Sequence, residues 1–204
     1  MTYSMKIIGV TGVFGSGKSE AARMIAKEGA YLIDHDQINH DLLIKGEPGY
    51  DAILREYGKG ILNGDDQIIR SKVAALAFKS EASVQRICSL LHPLIIVVEQ
   101  ELVRKFKRDK EHGTIVFDSP LLFESGRDAV CDHTIVISSD EEKLYKRIKK
   151  SFGLDKDEAR RRLFYQMSTI EKVKRADYVI ENNGTLAELK ESVKSVLKRI
   201  KDGE

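Results

Sequence analysis

Short apolar runs separated by longer amphipathic stretches make up most of this chain. The first run, KIIGV (6–10), is apolar and rich in β-branched residues, and glycines follow it directly, which predicts a short buried strand. Four further runs share this character: AYLID (30–34), TIVFD (114–118), HTIVIS (133–138) and DYVIE (177–181).

The stretches between these runs show helical spacing. Residues 18–28 predict a helix, and Gly29 is placed to end it. Residues 37–110 are helix-rich, with turn signals at GEPG and GKGILNGDD, and Pro93 is placed where a first helical turn tolerates proline. The stretch looks like a helical insertion between the second and third strands.

Two capping patterns mark helices in the second half of the chain. Ser139 with Glu142 predicts a capped helix over 140–150, and the basic stretch DEARRRLFYQM predicts another helix after it. Thr185 with Glu188 predicts the start of a terminal amphipathic helix. Strands that alternate with helices are typical of an α/β fold with a mainly parallel sheet.

A glycine-rich segment, GVTGVFGSGKSE, follows the first strand. Gly12, Gly17, Lys18 and Ser19 satisfy the spacing G-x-x-x-x-G-K-S, and the segment lies between a predicted strand and a predicted helix, as this motif requires. Such glycines let several backbone N–H groups point inward and bind phosphate, and the helix N-terminus adds positive potential. Lysine reaches the β and γ phosphates, and the serine hydroxyl is a ligand for Mg²⁺. The motif therefore predicts a nucleotide site.

Three aspartates lie at or just after the ends of predicted strands. Because parallel strand ends meet at one sheet edge, Asp34 and Asp36 are expected near the γ-phosphate, where one carboxylate orients or deprotonates an acceptor hydroxyl. Asp118 suits a carboxylate bonded to a magnesium water. The alternatives are that Asp36 only caps a helix and that Asp118 is only a turn residue before Pro120.

Charge is uneven along the 204 residues, although the net charge is only +2. Residues 143–175 carry twelve Lys or Arg against four Asp or Glu. This segment is either a solvated helical surface or a lid that brings arginine to a transferring phosphoryl group. The candidate lid residues are Arg147, Arg160, Arg161 and Arg162.

Several protein classes are disfavoured. The DxxG and NKxD patterns of switch GTPases do not occur in the sequence, and no apolar run approaches the ~18 residues of a membrane span. Cys88 and Cys131 form no CxxC motif or disulfide framework, which fits a reducing cytosol. We therefore expect a cytoplasmic small-molecule kinase without nucleic-acid or membrane partners; oligomeric state is left open.

Seven elements in order resemble the dephospho-CoA kinase family, over Ile7 to about Gly184. They are TGVFGSGKS (11–19), IDHD (33–36), RSKVAALAF (70–78), His92-Pro93, PLLFE (120–124), Gln166 and ADYVIENNG (176–184). The resemblance implies a P-loop kinase with an α/β/α three-layer fold and a mainly parallel five-stranded sheet. It implies a single domain whose core covers about 5–36, 112–140 and 175–204, with an acceptor-binding helical region (37–110) and a lid (141–170).

The resemblance also implies the reaction, transfer of the γ-phosphoryl of ATP to the ribose 3′-hydroxyl of dephospho-CoA, with Mg²⁺. Asp36, Lys18 and Arg147 would be catalytic, and Ser19 and Asp118 would serve the metal. ATP would bind Gly12, Val13, Phe14, Gly15, Ser16, Gly17, Lys18, Ser19 and Glu20. The acceptor would bind Asp34, Asp36, Arg70, His92, Leu121 and Glu124.

The chain departs from the family pattern at a few positions. Val13 stands in place of a glycine, Glu20 in place of a threonine, and Ser151 and Phe152 in place of Arg-Asp. His35 replaces the alanine between the two aspartates and is expected to be inert. A kinase for a nucleoside or nucleoside monophosphate, and a nucleic-acid binder acting through residues 143–175, are the two alternatives.

Overall fold

The computed structural model describes residues 5–109 and 113–203. The chain divides into two compact units. The sheet-containing unit consists of the described residues up to Asp34 and from Lys105 onwards, and the helical unit consists of His35–Arg104.

A five-stranded parallel sheet forms the centre of the sheet-containing unit, in the order β2-β3-β1-β4-β5. The predicted α/β fold with a parallel five-stranded sheet is confirmed, and every strand lies within one residue of its predicted bounds. The strands are β1 (Lys6–Thr11), β2 (Tyr31–Asp34), β3 (Thr114–Asp118), β4 (His133–Ser138) and β5 (Tyr178–Glu181).

Nine α-helices lie within the described residues. They are α1 (Lys18–Lys27), α2 (His35–Leu42), α3 (Pro48–Tyr57), α4 (Arg70–Ala77), α5 (Glu81–Asp109), α6 (Glu141–Phe152), α7 (Lys156–Phe164), α8 (Thr169–Arg175) and α9 (Leu186–Asp202). Helix α1 ends as predicted, since Gly29 follows it with φ 104°. The predicted capping box of Thr185 and Glu188 is present at the start of α9.

Each unit has its own apolar core. In the sheet-containing unit, α1 and α9 pack on the strands through residues such as Ile25 and Val193, which join Val10 and Ile135 in one buried cluster. In the helical unit, the buried residues are Leu43, Ile53, Ile61, Val73 and Leu91. The strands are almost wholly apolar because the sheet is covered by helices, as parallel sheets require.

The predicted cap of the helix over 140–150 is wrong. Helix α6 begins at Glu141 with Asp140 as its N-cap, and no side chain caps it. The Ser139 hydroxyl donates instead to the carbonyl of Asn182 and to Asn183 Oδ1, and Asn183 Oδ1 also accepts the N–H of Asp140. The Ser139 hydroxyl and the N–H of Asp140 therefore bond to Asn183, which is distant in the sequence, and not within a local capping box.

Pro93 is not in a first helical turn. It lies inside α5, which begins twelve residues earlier at Glu81. Proline removes one helical hydrogen bond, yet apolar packing continues on both sides of it, since Leu91 and Ile95 belong to the same cluster. Tertiary packing therefore holds the helix together through the proline.

Among the described residues, α5 is long and apolar enough to cross a membrane, judged by length and composition alone. Only 6% of its most apolar 18-residue stretch is buried within the protein. One such helix is weak evidence, since a core helix of a soluble protein or a signal sequence meets the same two criteria. The expectation of no membrane partner stays a prediction.

Candidate active site

The phosphate loop is the segment Gly12–Gly17 between β1 and α1. Gly15 and Gly17 have φ values of 84° and 96°, in the left-handed region that favours glycine. Gly17 is also the N-cap of α1, and a Cβ atom there would collide with Nδ2 of Asn182. Backbone geometry and close packing both explain the glycine-rich composition that predicted the loop.

Lys18 and Asp118 form a buried ion pair at the carboxyl edge of the sheet. Lys18 Nζ lies 3.0 Å from Asp118 Oδ1, and Asp118 is only 1% exposed. In the parallel register, Asp118 is opposite Val10 on one side and Asp34 on the other. The structure therefore brings together the ends of β1, β2 and β3, where Asp34 and Asp118 were predicted to meet the phosphate loop.

Ser19 and Asp118 suit a magnesium ion. The second carboxylate oxygen of Asp118, Oδ2, is buried without a hydrogen-bond partner, and the Ser19 hydroxyl lies 3.4 Å from Lys18 Nζ. Mg²⁺ is usually held by one or two protein oxygens together with waters and phosphates. Among residues 5–109 and 113–203 no group of three or more His, Cys, Asp or Glu is placed to hold a metal. The two oxygens of Ser19 and Asp118 fit a cation that binds together with the phosphates of a nucleotide.

The six predicted acceptor residues are divided between the two units. Asp34, Leu121 and Glu124 belong to the sheet-containing unit, and Asp36, Arg70 and His92 belong to the helical unit. Asp36 lies exposed in the first turn of α2, so it is not the N-cap of a helix that starts after it. Arg70 is exposed at the start of α4, and His92 is half-buried within α5.

His35, next to Asp36, is a buried residue of the helical unit. Its Nε2 lies 3.0 Å from Oε2 of Glu99, which is also buried. Sequence reasoning missed Glu99, although a glutamate directly after the apolar run PLIIVV was a visible signal. The expectation that His35 is inert stays a prediction, and the pair joins the first turn of α2 to α5.

Glu124 binds a lysine that sequence reasoning missed. Lys172 Nζ donates to both carboxylate oxygens of Glu124 at 2.9 and 2.8 Å and to the carbonyl of Pro120 at 2.9 Å. Glu124 Oε1 also accepts the N–H of Met167. Burial lowers the pKa of Lys172, and the hydrogen bonds that its ammonium donates to Glu124 oppose that change. The role of Glu124 in acceptor binding stays a prediction.

Arg147, on α6, contacts the phosphate loop and the residues that pack against it. Its guanidinium donates to the carbonyl of Asn182 at 2.7 Å, to Asn182 Oδ1 at 3.2 Å, to the Ser139 hydroxyl at 3.1 Å and to the carbonyl of Ser16 at 3.5 Å. The structure thus places this predicted lid arginine beside the loop. Asn182 was quoted only as part of a motif, and its contacts could not be read from the sequence.

The other lid residues divide into two groups. Gln166 Oε1 accepts the N–H of Phe14 at 2.8 Å, and the Arg162 guanidinium lies 5.6 Å from the centre of the Phe14 ring. Arg160 and Arg161 are exposed on α7. Residues of the predicted lid are therefore in contact with the rim of the phosphate loop.

Known proteins are similar to this chain over most of its length. The model of the family described as dephospho-CoA kinase matches residues 6–188. This chain belongs to the dephospho-CoA kinase family. A family member from Lactobacillus johnsonii is 35% identical over 200 residues, which cover 98% of this chain and 99% of the relative.

Solved structures agree with the family assignment. The crystal structure of TT1252 from Thermus thermophilus has a TM-score of 0.77 at 28% identity, covering 96% of this chain and 98% of that one. Dephospho-CoA kinase from Campylobacter jejuni has a TM-score of 0.67 at 25% identity, covering 98% of both chains. The resemblance drawn from seven sequence elements and its P-loop kinase fold are confirmed.

Proposed function

We propose that this chain transfers the γ-phosphoryl group of ATP to the ribose 3′-hydroxyl of dephospho-CoA, giving CoA and ADP. The function is the one named by its family, and it is the final step of coenzyme A synthesis. The observation that carries the proposal is the buried Lys18–Asp118 pair, whose lysine directly follows the glycine-rich phosphate loop.

Lys18 and the loop amides stabilise the transferring group. The N–H groups of a glycine-rich loop and the N-terminus of α1 bind the β and γ phosphates. The Lys18 ammonium, held by Asp118, is oriented before ATP arrives, so little reorganisation accompanies the reaction. These groups favour the charge that develops as the bond between the γ-phosphorus and the bridging oxygen lengthens.

Ser19 and Asp118 would hold Mg²⁺, Asp118 either directly or through a water. The ion, when bound, neutralises charge on the β and γ oxygens. The unpartnered buried oxygen of Asp118 supports this assignment, because a buried carboxylate oxygen normally has a partner.

Asp36 is the proposed residue that orients the acceptor hydroxyl and takes its proton. The hydroxyl oxygen forms a bond to the γ-phosphorus, the bond to the ADP oxygen breaks, and the proton passes to the Asp36 carboxylate. Its position supports the role, since it is exposed in the first turn of α2, two residues after the end of β2.

The reaction partners are ATP with Mg²⁺ and dephospho-CoA. We place the enzyme in the cytoplasm, without nucleic-acid or membrane partners. No disulfide joins Cys88 and Cys131 in the part of the chain that the structure describes, which fits a reducing compartment.

Coupled ADP release with Mg·ATP and dephospho-CoA tests the proposal. Wild type should turn over with dephospho-CoA and not with nucleosides or nucleoside monophosphates. Asp36→Asn should lower kcat by about 10²–10⁴-fold, because general base catalysis is lost, while ADP affinity is kept.

Asp41→Asn is the matched control for Asp36→Asn, since Asp41 is another exposed aspartate of α2. It should retain the wild-type rate. If Asp36→Asn turns over at the wild-type rate, Asp36 does not orient or deprotonate the acceptor hydroxyl. If the enzyme phosphorylates a nucleoside but not dephospho-CoA, the proposed acceptor is wrong.

A further inference from the structure

We propose that Asn182 is a positioning residue that sets the orientation of the phosphate loop, and that Arg147 acts through it. The proposal rests on the proposed function, because it concerns how the same loop grips a nucleotide. It gives a role to two residues that lie 166 and 131 positions from the loop residue they contact, Ser16.

Asn182 is held firmly in place. It is buried, directly follows β5, and its N–H donates to the carbonyl of Ser138 at 2.8 Å. The Ser139 hydroxyl donates to the Asn182 carbonyl at 3.2 Å. The residue is therefore fixed to the ends of β4 and β5.

The side chain of Asn182 reaches the phosphate loop. Its Nδ2 donates to the carbonyl of Ser16 at 2.8 Å, and the absence of a side chain at Gly17 leaves room for the amide. In a trans peptide the carbonyl and the next N–H point in opposite directions. Fixing the Ser16 carbonyl toward Asn182 therefore fixes the Gly17 N–H away from it, as an anion-binding loop of inward N–H groups requires.

Arg147 supports the same amide. It donates to the backbone carbonyl and to Oδ1 of Asn182, which leaves Nδ2 directed at Ser16. Its contact with the Ser16 carbonyl itself is longer, at 3.5 Å. The guanidinium is thus better placed to orient Asn182 than to hold the loop directly.

Titration calorimetry with two probes tests the role. Asn182→Ala should weaken ADP binding in magnesium buffer by about tenfold, the size expected for one buried hydrogen bond, because the peptide after Ser16 is no longer fixed. Adenosine has no phosphate, so its affinity should stay within about twofold of wild type. A merely structural role would not separate the two probes.

Glu181→Gln is the matched control, since Glu181 is the exposed neighbour at the end of β5. It should bind both probes as wild type does. ADP affinity within about twofold of wild type in folded Asn182→Ala would overturn the proposal, as would an equal loss for both probes.

Arg147→Met tests the second half of the proposal, and it carries the test alone if Asn182→Ala does not fold. It should weaken ADP binding but not adenosine binding, and it should add little in the Asn182→Ala background. A lower kcat with unchanged ADP affinity, or full additivity in the double variant, would show that Arg147 acts directly on the phosphoryl group.

Discussion

Two lysine–carboxylate pairs in the sheet-containing unit are built in different ways. Lys172 is fully buried, binds both oxygens of Glu124 and also binds the Pro120 carbonyl. Lys18 binds one oxygen of Asp118, and the other oxygen of Asp118 is buried without a hydrogen-bond partner.

We expect the difference to separate a pair that mainly stabilises the fold, called the structural pair below, from a pair that serves the proposed nucleotide site, called the functional pair. A carboxylate whose oxygens are both bonded to protein groups mainly contributes to the fold, whereas a buried carboxylate with an unpartnered oxygen is suited to an incoming group. The Glu124–Lys172 pair connects the segment after β3 with α8, and the Lys18–Asp118 pair connects the start of α1 with the end of β3. Both pairs were invisible as pairs in the sequence.

The largest expected effect is on the structural pair. Lys172→Met should lower the free energy of unfolding by about 2–3 kcal/mol, because the hydrogen bonds of a buried ammonium to the partly exposed Glu124 carboxylate and to the Pro120 carbonyl are lost. Denaturant unfolding measures the loss. The thermal shift produced by Mg·ADP should be kept, since nucleotide binding stabilises the native state through a site that remains intact.

Lys174→Met is the control for Lys172→Met, because Lys174 is exposed on the same helix, and it should change stability by no more than about 0.5 kcal/mol. Loss of the Mg·ADP shift in Lys172→Met would show that the Glu124–Lys172 pair also supports nucleotide binding, and the two pairs would then not differ in function.

The functional pair should respond in the opposite way. Lys18→Met should lower kcat by about 10²–10³-fold, since a charge aimed at the transferring phosphoryl is removed, and it should shrink the Mg·ADP shift. Steady-state kinetics and thermal unfolding provide the measurements. Lys172→Met and Lys18→Met each leave a carboxylate without its cation, so a loss of stability alone does not distinguish the two variants. The size of the Mg·ADP thermal shift does.

Lys27→Met, at the exposed end of α1, is the matched control for Lys18→Met and should show wild-type kinetics. If Lys18→Met keeps both its turnover and its nucleotide shift, the pair with Asp118 is structural as well.

The smallest effect sets a baseline away from both pairs. Thr185→Ala removes one half of the capping box of α9 and should lower the unfolding free energy by about 1 kcal/mol, with kcat and the Mg·ADP shift unchanged. A smaller Mg·ADP shift in Thr185→Ala would mean that a general loss of stability is enough to weaken nucleotide binding.

The other half of this capping box gives a pH dependence. Hydrogen bonds from the backbone and side chain of Thr185 hold the pKa of Glu188 below its usual value of 4.5. The ionised carboxylate therefore contributes stability above pH 4.5, and this contribution is lost as the pH falls through the lower folded-state pKa. The difference in Tm between wild type and Glu188→Gln should shrink toward acid. A difference that persists below the folded-state pKa would contradict the assignment.

Local features of the site were predictable from the sequence. The strands, the phosphate loop and the shared sheet edge of Asp34 and Asp118 depend on short apolar runs, glycine spacing and the parallel arrangement of strand ends. Each of these signals is contained within a few residues, so the chain alone was sufficient to predict them.

Long-range pairings were not predictable. Glu124 and Lys172 are 48 residues apart, and Asn182 lies 166 residues from Ser16. No local pattern links such residues. The same limit explains the wrong cap at Ser139, because Asn183, 44 residues away, bonds to it instead.

The strand order has a consequence for how the chain acquires its site during synthesis. The first strand made, β1, hydrogen-bonds to β3 and β4 and not to β2. In a nascent chain, the strand that leads into the phosphate loop therefore gains its first neighbour only after residue 118, and its second only after residue 138, has left the ribosome. Although the phosphate loop lies within the first nineteen positions, we expect it to become ordered only after these much later strands have been made.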